Sequence, residues 1–452
     1  MRSELEPARD EATLDRLAEL AGEVLAAARA RGASQAEVDL NEDRGLSVAV
    51  RLGEVETIEY TRDRGLSLTV YFGTRRASAS TADLDRASIE ATLEQACAIA
   101  RHTEEDACAG LAEAGRMAIE FPDFDLWHPL TPDADAAIEQ ALACELAGRE
   151  VDPRISNSEG ANVAYGQSET VYANSHGFIG RQRGTSHSLS LSLIAGTGEA
   201  MQRDYWYDVN CHAASLSSPG EVGRRAAERT LARLAPRPAP TGSFPVLFAP
   251  EMARSLIGHL LGAVSGGALY RRASFLLDHL GKPVLPDGID LVEHPHRVRG
   301  NRSAAFDAEG VATRESALVR DGVLQRYLLG SYSARKLGLE TTGNAGGVHN
   351  LDISTGPEGF DALVRGMGRG LVVTELMGQG VNAITGDYSR GAAGFWVERG
   401  EIVHPVDEVT IAGNLKQMLL GIEAVGNDID PRSHIRTGSI LVGRMTVAGA
   451  GA

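Results

Sequence analysis

The chain has 452 residues, of which 43% are hydrophobic and 23% are charged. These fractions are close to the averages of globular proteins, so they exclude a mainly disordered chain, and the length predicts two to three domains. The 44 Lys and Arg residues against 61 Asp and Glu residues give a formal net charge of −17. This acidic balance argues against a general binder of nucleic acid or anionic membranes, because such a protein needs a basic face.

Cysteine usage and the N-terminal residues predict the compartment. The N-terminus lacks the apolar region and cleavage signal of a secretory leader, and no uncharged apolar run reaches membrane-spanning length. Scattered cysteines without a C-x-x-C pair are expected to be reduced thiols; they are Cys97, Cys108, Cys144 and Cys211. We therefore expect a cytoplasmic protein that contacts neither nucleic acid nor membrane.

Residues 1–125 are predicted to form an N-terminal α/β subdomain. Apolar residues at three- and four-residue spacing predict helices over 11–31 and 83–102. Between them, the octet at 43–50 recurs in similar form at 63–70, with apolar and polar residues alternating. This echo predicts two strands of an antiparallel sheet, either as a short internal repeat or as hairpin geometry repeated by chance.

Residues 126–240 are predicted to form a central α+β subdomain. Thr131 as N-cap, followed by a proline at the first helical position, predicts a helix to about residue 150. Period-two alternation over 155–212 predicts strands. Ser218 and Glu221 have the spacing of a capping box, which predicts another helix.

Three alternating prolines at 235–240 predict an extended linker, which is the main predicted boundary. Beyond it, residues 241–452 are predicted to form a C-terminal β-rich domain that begins with a strand over 244–248 and a helix over 250–264. The remaining predicted strands are 310–313, 316–320, 323–329, 371–377, 394–398, 401–403, 408–412 and 439–447, with hairpin turns at 320–322 and 399–400 and short helices at 332–337 and 414–422.

The predicted fold class is α+β. An N-terminal α/β region with helices on a largely antiparallel sheet precedes a Gly-rich, mixed, mostly antiparallel β domain.

The residues alone do not complete a catalytic set. The sequence contains no His-Glu-x-x-His pattern, and His259 is a lone histidine on the predicted 250–264 helix, where such a residue is more often a hydrogen-bonded core residue. His294 and His296 share one side of an extended segment, so they either supply two metal ligands or belong to a surface turn. No nucleophile elbow and no phosphate-binding loop is present.

Long motifs in the C-terminal half carry a family resemblance. They are Phe-Leu-Leu-Asp at 275–278, Glu-His-Pro-His at 293–296, the nine residues 331–339, Gly-Asn-Ala-Gly-Gly at 343–347, the eleven residues 382–392, Thr-Ile-Ala-Gly-Asn at 410–414 and Gly-Asn-Asp-Ile at 426–429. With these motifs the chain resembles the TldD/PmbA metallopeptidase family, also called modulator of DNA gyrase, over essentially its whole length. Within that family it is most similar to the TldE (PmbA) type of subunit.

The resemblance implies a cytoplasmic bacterial peptidase built from two related subunits. The TldD-type subunit carries a His-Glu-x-x-x-His zinc motif and a cysteine ligand near its C-terminus, and the pair cleaves unfolded peptides in a chamber between the subunits. The implied partners of this chain are therefore a TldD-type subunit and unfolded peptides, and a homodimer is expected as an alternative when the chain is isolated.

The zinc motif is degenerate in this chain. The matching positions carry Arg254 in place of the first His, Ser255 in place of the catalytic Glu, and His259 as the one retained ligand. No cysteine occurs at 431–436, where the resemblance places one. Since catalytic zinc needs about three protein ligands, we expect no zinc and no catalytic residue in this chain, with the zinc in the TldD-type partner.

Two glycine-rich loops are associated with the family motifs. The loop at 343–347 is itself one of the motifs, and the loop at 378–380 precedes the motif at 382–392. Glycine permits close backbone approach, so these loops either line a peptide channel or are turns that need positive φ. The residues concerned are Gly343, Asn344, Gly346, Gly347, Gly378 and Gly380.

Two alternative functions remain open at this point. One is a self-sufficient metallopeptidase that uses His259 with His294 and His296. The other is a regulatory protein linked to DNA gyrase control that acts without proteolysis.

Overall fold

The computed structural model describes residues 7–449, with side chains described from residue 12 onward. Within these residues the strands form three sheets. The predicted domain limits extend into residues 1–6 and 450–452, which lie outside the described residues.

The first sheet is antiparallel throughout and has the order β3-β2-β1-β4-β5-β6. Its strands are β1 (Gln35–Arg51), β2 (Glu54–Phe72), β3 (Arg75–Thr81), β4 (Ile155–Asn174), β5 (Ile179–Ala195) and β6 (Gln202–Asn210). The sequence echo lies on β1 and β2, where Asp43 faces Asp63, so the two predicted antiparallel strands are confirmed. Because β1 also pairs with β4, the two predicted N-terminal subdomains contribute strands to one sheet.

Four helices cover one face of this sheet. They are α1 (Pro7–Ala30), α2 (Arg86–His102), α3 (Ala134–Arg149) and α4 (Pro219–Ala232). The even-numbered apolar residues of β1 from Ala36 to Leu40 pack with α1 and α2, and those from Leu46 to Val50 pack with α3 and α4. Since alternate residues of a strand share a face, both helix pairs lie on the same side.

Of the two predicted helix N-caps, the one of α4 is confirmed and the one of α3 is wrong. The capping box of Ser218 and Glu221 is confirmed at the start of α4. The N-cap of α3 is Asp133 and not Thr131, because the Asp133 carboxylate accepts a hydrogen bond from the amide of Ala136 at 3.1 Å. An aspartate at this position satisfies a helix-terminal N–H that threonine two residues earlier cannot reach.

The second sheet closes into a five-stranded barrel. Its C-terminal strand β17 (Ile440–Ala448) pairs on one side with β7 (Gly242–Phe248) and on the other side with β14 (Glu401–Asn414). The barrel strands are β7 (Gly242–Phe248), β12 (Gly370–Met377), β13 (Asp387–Glu398), β14 (Glu401–Asn414) and β17 (Ile440–Ala448), and β15 (Ile422–Val425) adds to β17. Helices α5 (Pro250–Ala263), α8 (Phe360–Met367) and α9 (Leu415–Leu420) pack against this domain.

A small third sheet is formed by segments inserted between strands of the barrel domain, four of them between β7 and β12 and one between β15 and β17. It consists of β8 (Leu291–Glu293), β9 (Ser316–Arg320), β10 (Val323–Leu324), β11 (Leu351–Ile353) and β16 (Ile435–Arg436), with α6 (Gly266–Tyr270) and α7 (Ser331–Leu337) nearby in sequence.

Two predicted strands in this region are wrong in extent. Residues 310–313 form isolated bridges only, and β10 ends at Leu324 although a strand was expected to residue 329. The backbone there is satisfied by loops instead, as in the amide of Leu328, which donates to the carbonyl of Val264 at 3.0 Å. Alternation signals extended backbone, but it does not say whether a neighbouring strand is available.

The α+β class predicted from the sequence is confirmed, with N-terminal helices on an antiparallel sheet and a mostly β C-terminal domain. Residues 235–241 carry no regular structure between α4 and β7, while the exact domain limits stay predictions. Among the helices described, none combines the length and apolar character needed to cross a membrane.

Candidate functional site

Helix α5 presents the three residues of the degenerate motif. It starts directly after barrel strand β7, with Pro250 at its first position and Glu251 in its first turn, where an acidic side chain complements the helix dipole. Its buried side is made of small and branched residues at helical spacing, namely Ala253, Leu256, Ile257, Leu260 and Ala263. Arg254, Ser255 and His259 lie off this buried side and remain partly accessible.

Arg254 is held by neighbours from two other parts of the fold. Its guanidinium donates to the hydroxyl of Tyr207 on β6 at 3.2 and 3.3 Å and lies 3.8 Å from a carboxylate oxygen of Asp430. The hydroxyl of Ser255 donates to the carbonyl of Met252 at 2.7 Å, within its own helix. Neither side chain therefore offers a free carboxylate or imidazole where the family motif needs one.

The segment 431–436, where the resemblance places a cysteine, lies beside α5. Arg432 is its anchor: this guanidinium donates to Asp430 at 2.8 Å, to the Tyr207 carbonyl at 2.9 Å and to Glu251 at 3.2 Å. It also lies 3.9 Å from the ring centroid of Trp206, a cation–π distance. A cavity of about 700 Å³ opens here between β6, α4, the start of α5 and this segment.

Burial and nearby positive charge disfavour the protonated form of the two histidines of this region, His259 and His434. Burial, together with the charges of Arg302 and Arg254, lowers the pKa of His434 to about 4. Burial and the charge of Arg390 likewise lower the pKa of His259. Each imidazole thus sits in an environment that disfavours additional positive charge.

A zinc ion does not fit this donor set. The buried Nε2 atom of His259 has no hydrogen-bond partner among residues 12–449, which makes it one available donor. The other motif positions supply a guanidinium and a hydroxyl already bonded to its own helix. Across the described part of the chain, no three His, Cys, Asp or Glu side chains come close enough together to hold a metal ion.

His294 and His296 do not join His259 in a common site. The Nδ1 atom of His294 lies 2.8 Å from Glu315, and the Nε2 atom of His296 lies 3.0 Å from the Thr313 hydroxyl. The ring of His296 also stacks on Phe124 at 5.5 Å. The metal set proposed from these three histidines is therefore wrong for the described residues, and the surface-turn interpretation accounts for the contacts of the pair.

The loop at 343–347 is anchored by a buried carboxylate that sequence reasoning missed. Glu293 is 2% exposed and accepts hydrogen bonds from the Asn344 amide at 2.9 and 3.1 Å and from the backbone of His349 at 2.6 Å. The Arg326 guanidinium also donates to it. Burial alone raises the pKa of Glu293, but the His349 hydrogen bonds and the Arg326 charge outweigh it and lower the pKa to about 2.

The glycines of the same loop border two cavities. Gly346 and Gly347 have φ of +91° and +107°, values that side chains disfavour. They line a cavity of about 560 Å³ towards α5 and α6 and another of about 320 Å³ towards β1 and β4. Arg302 borders both cavities and donates to the Gly346 carbonyl at 3.3 Å. The positive φ of this loop is thus confirmed, whereas its lining of a peptide channel stays a prediction.

The loop at 378–380 closes onto β13. Gly378 has φ of +75°, and the amide of Ser389 donates to the Gly380 carbonyl at 2.7 Å. A Cβ atom at Gly380 would lie 1.9 Å from the Ser389 carbonyl oxygen, so no side chain fits there. Tyr388, whose ring contacts His259 edge-to-face at 5.9 Å, lines the adjacent cavity of about 660 Å³.

Residues that sequence reasoning did not single out complete this region. Glu293 entered the sequence analysis only as the first residue of the Glu-His-Pro-His motif, and Arg326 lies 33 positions away from it, so no local pattern joins the two. Tyr207 and Trp206 resembled ordinary strand residues. That motif was the one available signal for Glu293.

Comparisons with known proteins place these features in a family. Three family models match the chain: domain 1 of the PmbA/TldA metallopeptidases at residues 36–100, their central domain at 127–234 and their C-terminal domain at 241–449.

Individual relatives match along nearly the whole length. The chain is 49% identical over 414 residues to metalloprotease PmbA of Escherichia coli O157:H7, with 92% of each chain covered. It is 46% identical over 422 residues to a metalloprotease PmbA homolog of Haemophilus influenzae, with 93% of each covered. A solved structure from Bacteroides thetaiotaomicron, named as a candidate modulator of DNA gyrase, matches with a TM-score of 0.90 at 29% identity, covering 95% of this chain and 98% of that one.

Proposed function

Because the chain belongs to the PmbA/TldD metallopeptidase family, we propose that it is the TldE-type, non-catalytic subunit of a two-subunit zinc peptidase. Its partner is a TldD-type subunit that holds the zinc ion, and the pair hydrolyses unfolded peptides in the cytoplasm.

The replacement of zinc-motif residues by Arg254 and Ser255 on α5 is the observation that supports this proposal most strongly. A metal-dependent peptidase needs imidazole and carboxylate ligands and a base for the attacking water. Here Arg254 is bonded to Tyr207 and Ser255 to its own helix, so the chain supplies neither function at these positions. Burial and the charges of three arginines, at 254, 302 and 390, lower the pKa of the nearby imidazoles, and the same positive charge opposes a bound dication.

The chain's own contribution is to bind and orient the peptide. The cavities beside Gly346 and Gly347 are bordered by backbone, and an extended peptide needs backbone groups to pair with. A second subunit laid over such a surface would exclude water from the partner's reaction site. Folded substrates would be excluded by the same enclosure.

Reconstitution tests the proposal. The chain alone, a TldD-type subunit alone and their mixture are incubated with an unfolded peptide, and cleavage is followed by mass spectrometry. We expect cleavage by the mixture, its loss with a chelator, and less than a twofold change when His259→Ala is used in this chain. Chelator-sensitive cleavage by the isolated chain would contradict the proposal.

A further inference from the structure

The loop at 343–347 and the residues directly after it leave alternate backbone amides without a partner. The amides that find an acceptor within the fold are those of Ala345, Gly347 and His349. The amides between them, of Gly346 and Val348, have no hydrogen-bond acceptor among the residues that the structure describes. Both residues line the cavity of about 560 Å³ beside α5 and α6. Two residues of the cavity lining therefore carry N–H groups that still require an acceptor.

Arg302 adds a positive charge without a counter-charge at the same place. Its side chain borders this cavity and lies over the loop, with Nη1 3.8 Å from the position that a Cβ atom on Gly347 would occupy. Within the described part of the chain, the guanidinium makes one hydrogen bond, to the Gly346 carbonyl at 3.3 Å, and no ion pair. Most of its N–H donors are therefore free for a ligand.

The positive charge continues towards α5. Burial and the charges of Arg302 and Arg254 lower the pKa of His434 to about 4, so both arginines lie near this imidazole. Among the described residues, Arg254 has one carboxylate within ion-pair distance, Asp430 at 3.8 Å, and Arg432 binds that carboxylate more closely, at 2.8 Å. In a chain with a formal net charge of −17, this cluster is a local excess of positive charge that favours a bound anion.

The cavity favours a single carboxylate at the end of a chain over a polyanion. Glu309 lines the same cavity, and its charge would repel a second negative group. Apolar and aromatic side chains leave room for the side chain of a terminal residue; they are Leu261, Tyr270, Leu328 and Tyr332. A guanidinium binds a carboxylate through two parallel N–H···O bonds, and free backbone N–H groups capture C-terminal carboxylates in other proteins. The volume lies in the range of ordinary small-ligand sites.

We propose that Arg302 and the free amides of Gly346 and Val348 bind the C-terminal carboxylate of an unfolded peptide, whose last side chain occupies the cavity beside α5. Because Gly346 has no side chain, the carboxylate can approach the backbone closely. Arg302 thereby fixes the end of the peptide relative to the rest of the complex. The inference rests on the proposed role of this chain in binding peptides, and it adds which part of the peptide is recognised.

Fluorescence anisotropy with the isolated full-length chain tests the site. The probe is a labelled peptide of Gly, Ser and Ala that ends in Leu, with either a free C-terminal carboxylate or a C-terminal amide. We expect the carboxylate form to bind at least roughly tenfold more tightly, because the amide lacks the charged acceptor. An amide form with an internal Glu should bind like the amide form without it, which distinguishes the C-terminus from a side-chain carboxylate.

Substitution of Arg302 distinguishes recognition of the carboxylate from a structural role in the loop. Arg302→Gln should weaken binding of the carboxylate form roughly tenfold and change binding of the amide form by less than about twofold. A loop that had lost its shape would bind both forms more weakly. Arg302→Lys keeps the charge and should keep part of the preference. Arg444→Gln, on an exposed arginine of β17, should change neither affinity.

Reconstitution keeps this inference apart from the proposed function. In the isolated chain, equal affinities for the two forms, no binding of either form, or a preference that survives Arg302→Gln would overturn the carboxylate site. Cleavage by the mixture with a TldD-type subunit would in each case leave the two-subunit peptidase standing. A mixture that cleaves neither form would contradict the proposed function, while the anisotropy measurement would still decide the carboxylate site.

Discussion

At the scale of single residues, the region around α5 is governed by which groups carry charge. Burial of His434 disfavours its charged form, and the charges of Arg302 and Arg254 add to this effect. Its pKa falls from the ordinary 6.5 to about 4. The unfolded chain therefore binds a proton at His434 between these pH values and the folded chain does not.

This difference predicts a pH-dependent stability. Because the unfolded state binds more protons between pH 4 and 6.5, the free energy of unfolding should fall as the pH falls through this range. In His434→Asn the slope should be shallower, so that the loss of unfolding free energy over the interval is smaller by roughly 3 kcal/mol. Urea denaturation at a series of pH values measures it. The matched control is His102→Asn, on the exposed end of α2, and an unchanged slope in His434→Asn would contradict the assignment.

A second residue-scale prediction concerns Glu293. Its carboxylate is buried with Arg326, Asn344 and His349, so Glu293→Gln should leave the guanidinium without its charge partner. We expect a loss of about 3–5 kcal/mol of unfolding free energy at pH 7. The loss should shrink as the pH falls from 4.5 towards 2, because in this range the unfolded wild-type chain binds a proton at Glu293 and the folded chain does not.

The control for Glu293 is Glu315→Gln. Glu315 is 70% exposed and pairs with His294 at the surface, so its substitution should change the unfolding free energy by less than about 0.5 kcal/mol. Equal effects of the two substitutions would show that the Glu293 cluster does not hold the 343–347 loop.

At the scale of elements, the local patterns predicted most helices and strands. Alternating leucines and serines on β5, the capping box of α4 and the turn at Arg399 and Gly400 each combine residues that are close in sequence, and each was found. The strand over 310–313 was not found, because strand formation there depends on a partner that local sequence does not show.

Two hairpin glycines allow the cost of a positive φ to be distinguished from the cost of a steric clash. Gly53 and Gly400 have nearly equal φ, +82° and +78°. A Cβ atom at Gly400 would lie 2.8 Å from the Arg365 carbonyl oxygen of α8, whereas a Cβ atom at Gly53 would meet no described atom within 4 Å. Gly53→Ala should cost about 1 kcal/mol from φ alone, and Gly400→Ala at least about twice that. Chemical denaturation measures both, and equal costs would refute the packing contribution.

At the scale of the whole molecule, pairing between distant segments could not be predicted from the sequence. β1 pairs with β4, more than a hundred residues later, and so joins the two N-terminal regions in one sheet. The positions of Arg254 and Ser255 could be predicted, because they lie in one short motif. The contacts of Arg254 with Tyr207 and Asp430 could not, because these two residues come from segments far away in the chain.

Arg432 connects the two halves of the molecule through this region. Its guanidinium contacts Trp206 and Tyr207 on β6 and Glu251 on α5 and is 10% exposed. Arg432→Met should therefore lower the unfolding free energy by roughly 3–5 kcal/mol, since it leaves buried carboxylates with fewer partners. Arg444→Met, on an exposed arginine, should cost less than about 0.5 kcal/mol. A loss below 1 kcal/mol for Arg432→Met would argue against this connection.

The proposal that this chain leaves metal chemistry to a partner rests on a guanidinium and a hydroxyl at ligand positions of α5. Elemental analysis of the isolated chain, purified with zinc present and then dialysed, tests it most directly. The account predicts far less than one zinc per chain and no change in His259→Ala. One zinc per chain that is lost in His259→Ala would contradict it.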